Sequence, residues 1–140
     1  RTAIAPHVDD LALVLGKVNV HKEITFVNRV PPGLAVACEQ QDIDEMLGNL
    51  LENAFAWCRG RVADSASKEG RSVVLFIEDD GPGLSPRQMP LVPKADERSP
   101  GFGFGLSITS ELAELYAGSL TLERSALGGL RVALRLPASG

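Results

Sequence analysis

Gly48-Asn49-Leu50-Leu51-Glu52-Asn53-Ala54 is the stretch on which the reading of this chain turns: two asparagines four residues apart, inside a run whose apolar positions recur at helical spacing. At about 100° per residue, Asn49, Asn53 and Ala56 share a narrow sector at the border of the apolar face, with Glu45 on the same edge. Both amides can therefore point into one cleft. Further on, Asp79-Asp80-Gly81-Pro82-Gly83 closes an apolar run, and Gly101-Phe102-Gly103-Phe104-Gly105-Leu106 leads into a second helical pattern. Each string alone is weak. In this order they supply a metal ligand, an adenine anchor and a phosphate cradle, and together they predict a Mg-ATP site.

The chemistry of each part supports that reading. Amide oxygens are hard neutral ligands suited to Mg²⁺, which keeps several waters and takes further oxygens from phosphates. Asp79 ends a strand just before a sharp turn, so its carboxylate can sit at a cleft floor and accept a hydrogen bond from the adenine amino group; Asp80 reads as an ordinary turn residue. Gly101, Gly103 and Gly105 let backbone amides approach phosphate closely at the anion-favouring end of a helix. The string is neither the dinucleotide fingerprint, since Leu106 stands in place of the third glycine, nor a P-loop, since no Gly-Lys-Ser/Thr ending follows. Trp57 is expected beside the nucleotide pocket or in the core.

Outward from the motifs, 140 residues with 44% hydrophobic and 23% charged side chains suit one globular domain with a real core. A net charge of -4 argues against a general nucleic-acid binder. No apolar run is long enough to cross a bilayer. Cys38 and Cys58 lack CxxC spacing and read as a buried reduced pair, compatible with a cytoplasmic setting. His7 and His21 are isolated and read as structural or surface residues.

The element pattern is largely explicit. Residues 1–16 suit a short helix or a connector from an upstream segment. Ile24 to Arg29 and Leu34 to Cys38, joined by Pro31-Pro32-Gly33, predict a hairpin. Asp42 to Arg59 predicts a helix with a capping box at Asp42 and Glu45. Val73 to Ile77 is a buried strand. Residues 81–104 carry five of the nine prolines without periodicity and read as a mobile lid. Gly105 to Ala117 resumes helical spacing, with Gly118 as its stop. Leu120-Thr121-Leu122 and Leu130 to Leu136 are strands around Gly128-Gly129.

On these residues the chain resembles the catalytic, ATP-binding domain of sensor histidine kinases, in the superfamily that also holds gyrase, Hsp90 and MutL. The similarity runs from Ile24 to Leu136. Asn49 to Ala54 resembles that family's N box, Asp79 to Gly83 its Asp-x-Gly-x-Gly element, and Gly101 to Leu106 its Gly-x-Gly-x-Gly-Leu element; Glu78 to Gly83 and Leu127-Gly128-Gly129 are similar to PhoQ-like members. The resemblance implies an α+β fold, a two-layer α/β sandwich of the Bergerat type with three helices on one face of a mixed, mostly antiparallel sheet. It implies that ATP and Mg²⁺ are held by Asn49, Asn53, Trp57, Asp79, Gly81, Gly83, Lys94, Arg98, Gly101, Gly103, Gly105 and Leu106, with Asn49 and Asn53 on the metal. Residues 17–140 would be the catalytic domain and 1–16 a connector from a dimerisation domain.

The superfamily's ATP-hydrolysing members carry a water-activating glutamate where Asn49 stands, so the resemblance favours phosphoryl transfer to a protein over hydrolysis. The accepting histidine belongs to a separate dimerisation domain, and neither His7 nor His21 matches its context. The implied partners are that domain and a response regulator, in the cytoplasmic portion of a bacterial inner-membrane receptor, with this piece itself monomeric. Two departures stand out. Ala56 replaces a basic residue that reaches phosphate in many members, and the lid's phenylalanine box is hard to locate between Leu84 and Gly101, where Arg87, Lys94 and Arg98 are the available cations. A rival reading is a nucleotide-binding regulatory module with little transfer activity; an independent ATPase or serine kinase is disfavoured by Asn49.

Overall fold

The computed structural model describes residues 1–83 and 105–139. In chain order the elements are β1 (Thr2–Ala3), α1 (Ile4–Val18), β2 (Thr25–Arg29), β3 (Ala35–Val36), α2 (Gln40–Trp57), β4 (Arg61–Glu69), β5 (Ser72–Asp79), α3 (Gly105–Leu115), β6 (Ser119–Arg124) and β7 (Leu130–Pro137). Five strands form one sheet in the order β2-β4-β5-β7-β6, while β1 and β3 make a separate two-stranded sheet. In the large sheet β2 runs parallel to β4 and the remaining neighbours are antiparallel. This is the mixed sheet and helical layer of the expected α/β sandwich.

The core follows from strand alternation. Val73, Leu75 and Ile77 of β5 stand in register with Leu136, Leu134 and Val132 of β7, and Leu120 of β6 lies opposite Leu134. Because side chains alternate across a strand, these residues share one face. Against them α2 turns Ile43, Met46, Leu47, Leu50, Leu51, Ala54 and Phe55, all buried. Fully burying the larger of these side chains contributes about 1.5–3 kcal/mol each before entropy is counted. Asp79 is the last core-facing residue of β5 and is 3% exposed.

Several local expectations are corrected. The predicted hairpin does not form: β2 pairs with β4, from Thr25↔Arg61 to Arg29↔Ser65, and β3 pairs with β1. Pro31 and Pro32 have no N–H to donate to a ladder, and the Leu34 amide bonds back to the Pro31 carbonyl at 3.1 Å, closing a turn that redirects the chain. The α2 crossover then brings β4 alongside β2, as a parallel pair requires. Nor does the capping box form. Helix α2 begins at Gln40, and its N-cap Glu39 makes no side-chain capping bond. Instead the Tyr116 hydroxyl accepts from the Glu39 backbone N–H at 3.2 Å and donates to Asp42 Oδ2.

Residues 1–16, expected as a short helix or connector, form β1 and most of α1, and Ile4, Ala5 and Val8 enter the core. At the end of α3 it is Ala117, with φ 58°, that takes the left-handed position. Gly118 serves another purpose, since a Cβ there would sit 2.0 Å from the Arg135 carbonyl oxygen. Both cysteines are free and buried; burial, with Asp42 nearby, pushes the Cys38 thiol up to about 11.

A buried carboxyl interrupts the core. Asp64 of β4 lies in register between Asn28 and Ile77 and is 1% exposed. Among the described residues neither of its carboxylate oxygens finds a hydrogen-bond partner. Burial first, and then the charge of Asp9, push its carboxyl up to about 7, with only its own backbone amide opposing. Asn28 beside it is satisfied: its amide nitrogen donates to Asp9 Oδ1 at 2.8 Å and its oxygen accepts from the Val30 N–H at 3.0 Å.

Candidate functional site

Helix α2 carries the two asparagines and strand β5 ends in Asp79, and the turn after β5 meets the C-terminal end of α2, where Gly81 abuts the Trp57 carbonyl. Asn49 and Asn53 are half-buried on one edge of α2. The Asn49 amide nitrogen reaches Thr109 Oγ on α3 at 3.5 Å, and that hydroxyl in turn donates to the Gly105 carbonyl at 2.8 Å. A Cβ on Gly105 would lie 3.4 Å from Asn49 Cβ and 3.8 Å from Asn49 Oδ1. The first turn of α3 is thus held against Asn49. With its nitrogen engaged, the Asn49 amide keeps its oxygen, the atom a hard cation would take, at the mouth of α3.

The Asp79 turn is built from close backbone approaches. Asp79 Oδ1 accepts from the Gly81 N–H at 2.8 Å and the Leu130 N–H at 3.3 Å, while its carbonyl accepts from the Gly129 N–H at 3.1 Å. Burial pushes the Asp79 carboxyl above the ordinary carboxylate value; the Gly81 and Leu130 amides oppose that, Asp80 adds to it and Lys22 offsets it. The glycines leave no room for anything larger. A Cβ on Gly81 would stand 2.3 Å from the Trp57 carbonyl oxygen, and one on Gly129 would stand 2.2 Å from Asp79 Oδ1. Gly83 has φ 68°, a conformation most side chains resist.

Asp80, read from sequence as a plain turn residue, is a clamp. Its Oδ1 accepts from the backbone N–H groups of Arg59, Gly60 and Arg61 at 2.7, 3.1 and 3.1 Å. Burial pushes its carboxyl up, but the Gly60, Arg61 and Arg59 amides outweigh that and hold it below the usual value. On the other side of the same segment the Lys22 ammonium donates to the carbonyls of Phe55, Ala56 and Cys58 at 3.0, 2.6 and 3.1 Å.

Trp57 is 46% exposed, so core burial does not account for it. Leu106, expected among the nucleotide residues, is buried in the hydrophobic core at 1% exposure. Gly101, Gly103, Lys94, Arg98 and Arg87 lie outside the described residues, as does the expected lid beyond Gly83. Gly129 and Lys22 were missed from sequence. The Gly128-Gly129 pair was legible as a turn, but one glycine is also the surface against which Asp79 rests; nothing in sequence marks Lys22.

Comparison with known proteins agrees with this geometry. Residues 38–140 match the family described as histidine kinase-, DNA gyrase B- and HSP90-like ATPase. The sensor protein kinase CarS of Pseudomonas aeruginosa is 40% identical over 133 residues, which are 92% of this chain and 29% of that protein. The virulence sensor histidine kinase PhoQ of Salmonella typhimurium is 36% identical over 133 residues, 92% of this chain and 27% of that protein. The chain therefore spans under a third of the length of these curated relatives. Among solved structures, the mycobacterial sensor histidine kinase MprB is similar in fold with a TM-score of 0.83 at 23% identity, covering 98% of this chain and 95% of that one. The ATP-binding domain of PrrB from Mycobacterium tuberculosis has a TM-score of 0.79 at 23% identity, covering 99% and 96%. With the fold, the motif order and the family match in agreement, the chain belongs to the histidine kinase-, DNA gyrase B- and HSP90-like ATPase family.

Proposed function

We propose that this chain is the ATP-binding catalytic domain of a two-component sensor histidine kinase, presenting Mg-ATP for γ-phosphoryl transfer to a histidine on a separate dimerisation domain. The observation that carries the reading is Asp79. A carboxylate 3% exposed, with one oxygen tied to two backbone amides, is held rigidly at the end of a strand. Its other oxygen takes part in neither of those bonds and suits the adenine amino group. Asn49 and Asn53 would hold Mg²⁺, which when bound neutralises phosphate charge. Gly81 and Gly83 would shape the adenine pocket, with Trp57 beside it, and Gly101, Gly103 and Gly105 would meet the phosphates, helped by Lys94 and Arg98.

In this reading the chain supplies position and charge, which dominate catalysis of phosphoryl transfer. The superfamily's water-activating glutamate is replaced by Asn49, so water is not the favoured acceptor. The parent protein would be a membrane-anchored bacterial receptor working through a response regulator, with this portion cytoplasmic and monomeric; among the described residues no helix is long and apolar enough to cross a membrane.

A second reading, a nucleotide-binding module with little transfer activity, is favoured by Ala56, which places no cation where many relatives reach phosphate. Calorimetry with ATP and ADP, with and without Mg²⁺, tests the first step: saturable binding lost in Asp79→Asn is expected, and absence of binding at millimolar nucleotide would refute the site. Incubation with a histidine-bearing dimerisation domain and labelled ATP then separates transfer from mere binding.

A further inference from the structure

Helix α2 carries both asparagines, yet no basic residue lies in its last turn. The terminal carbonyls of a helix are unsatisfied and carry partial negative charge, so an end without a cation is left uncompensated. Here the cation comes from the loop after α1. Lys22 Nζ meets the carbonyls of Phe55, Ala56 and Cys58 within 3.1 Å, while Asp80 Oδ1 takes the amides of residues 59–61 from the other side. Between these two contacts lies Trp57, whose carbonyl oxygen abuts Gly81. The loop that delivers Lys22 is itself fixed: the Asn19 side chain bonds to the Leu15 carbonyl at 2.9 Å, the Lys22 N–H to the Asn19 carbonyl at 3.0 Å, and the Thr25 N–H to the Gly60 carbonyl at 2.7 Å.

We propose that Lys22 is a positioning residue of the nucleotide site: by clamping the carbonyls that end α2, it sets the spacing between the Trp57 backbone and the Asp79–Gly81 turn and keeps a positive charge near the adenine-reading carboxylate. The inference rests on the nucleotide reading above and adds a determinant that touches neither nucleotide nor metal. The charged groups acting on Asp79 are Asp80, which raises its carboxyl, and Lys22, which lowers it. Asp79 accepts from adenine more strongly when ionised, because a bond to a charged acceptor is stronger than one to a neutral carboxyl. Removing Lys22 therefore moves the acid limb of nucleotide binding to higher pH, which a loss of packing alone would not do.

The test is Mg-ADP calorimetry across pH on the 140-residue chain and on Lys22→Met, Lys22→Gln and Lys22→Arg. Lys22→Met is expected to bind ADP about tenfold more weakly at neutral pH, with its acid limb displaced upward, and Lys22→Arg to recover most of both. Lys22→Gln keeps a donor for the carbonyls, so it reports the charge effect even where the methionine variant fails to fold. Val73→Ala, a core change at the far end of β5, is the stability control and is expected to lower the melting temperature without moving the acid limb. Unchanged affinity and an unchanged acid limb in Lys22→Met and Lys22→Gln overturn the proposal alone. Absence of ADP binding by the unsubstituted chain overturns the nucleotide reading and takes this proposal with it.

Discussion

Asp64→Asn is expected to change how the stability of this domain depends on pH, and the expected size follows from the structure. The carboxyl is 1% exposed, has no hydrogen-bond partner among the described residues, and is raised from 3.8 to about 7. In the unfolded chain it ionises near the lower value. Between the two values the native state holds a proton that the unfolded state has released, so stability falls as pH rises through that window. The contribution is fully present below 3.8 and lost once pH passes about 7. At about 1.4 kcal/mol per pKa unit the total is on the order of 4 kcal/mol. Asparagine does not titrate. Urea denaturation of both proteins at a series of pH values should show the wild type losing about 1.4 kcal/mol per pH unit relative to the variant across the window. Carboxylates not coupled to Asp64 cancel in that difference, Asp9 being the one coupled neighbour among the causes of its shift, and any constant cost of the buried amide shifts the variant equally at every pH. A difference that is flat with pH would refute the reasoning, because it would mean that Asp64 is ionised in the fold and compensated.

Two further substitutions probe the turns. Gly129→Ala places a Cβ 2.2 Å from Asp79 Oδ1 and is expected to abolish ADP binding in calorimetry, while Gly128→Ala, strained at φ 108° but with open space around it, should cost roughly 1–2 kcal/mol of stability and leave ADP affinity intact. Tyr116→Phe removes the hydroxyl that bonds Glu39 and Asp42 and should lower stability by about 1 kcal/mol, as loss of a helix cap does, measured by thermal melting with ADP affinity unchanged.

The parts of this fold legible in sequence are those specified locally. Helix α2 was visible because Ile43, Met46, Leu47, Leu50, Leu51 and Ala54 repeat at helical spacing, and β7 because Leu130, Val132, Leu134 and Leu136 alternate. Strand β4 was invisible: Arg61–Glu69 is built from small and polar residues and is a strand because it lies between β2 and β5. The hairpin reading failed for the same reason, since a parallel partner some thirty-five residues away leaves no local mark on Thr25–Arg29. In the site, residue types announced the asparagines and the Asp79 turn. The contacts that hold them, from Gly129, Lys22 and the Asp80 carboxylate, join distant segments and became readable only in three dimensions.

The bond between Leu130 and Asp79 spans 51 residues of chain, and it bears on the order in which this protein can assemble. The β4–β5 pair closes around the short Gly70-Arg71 loop and can form early, because little loop entropy opposes it. The Asp79 turn cannot be completed with it. Its second amide arrives only when β7 has paired antiparallel to β5, a long-range step of the kind that slows folding. Nucleotide added during refolding should therefore leave the early collapsed species untouched and engage only chains whose sheet is already closed, which makes ligand capture a clock for the last topological event.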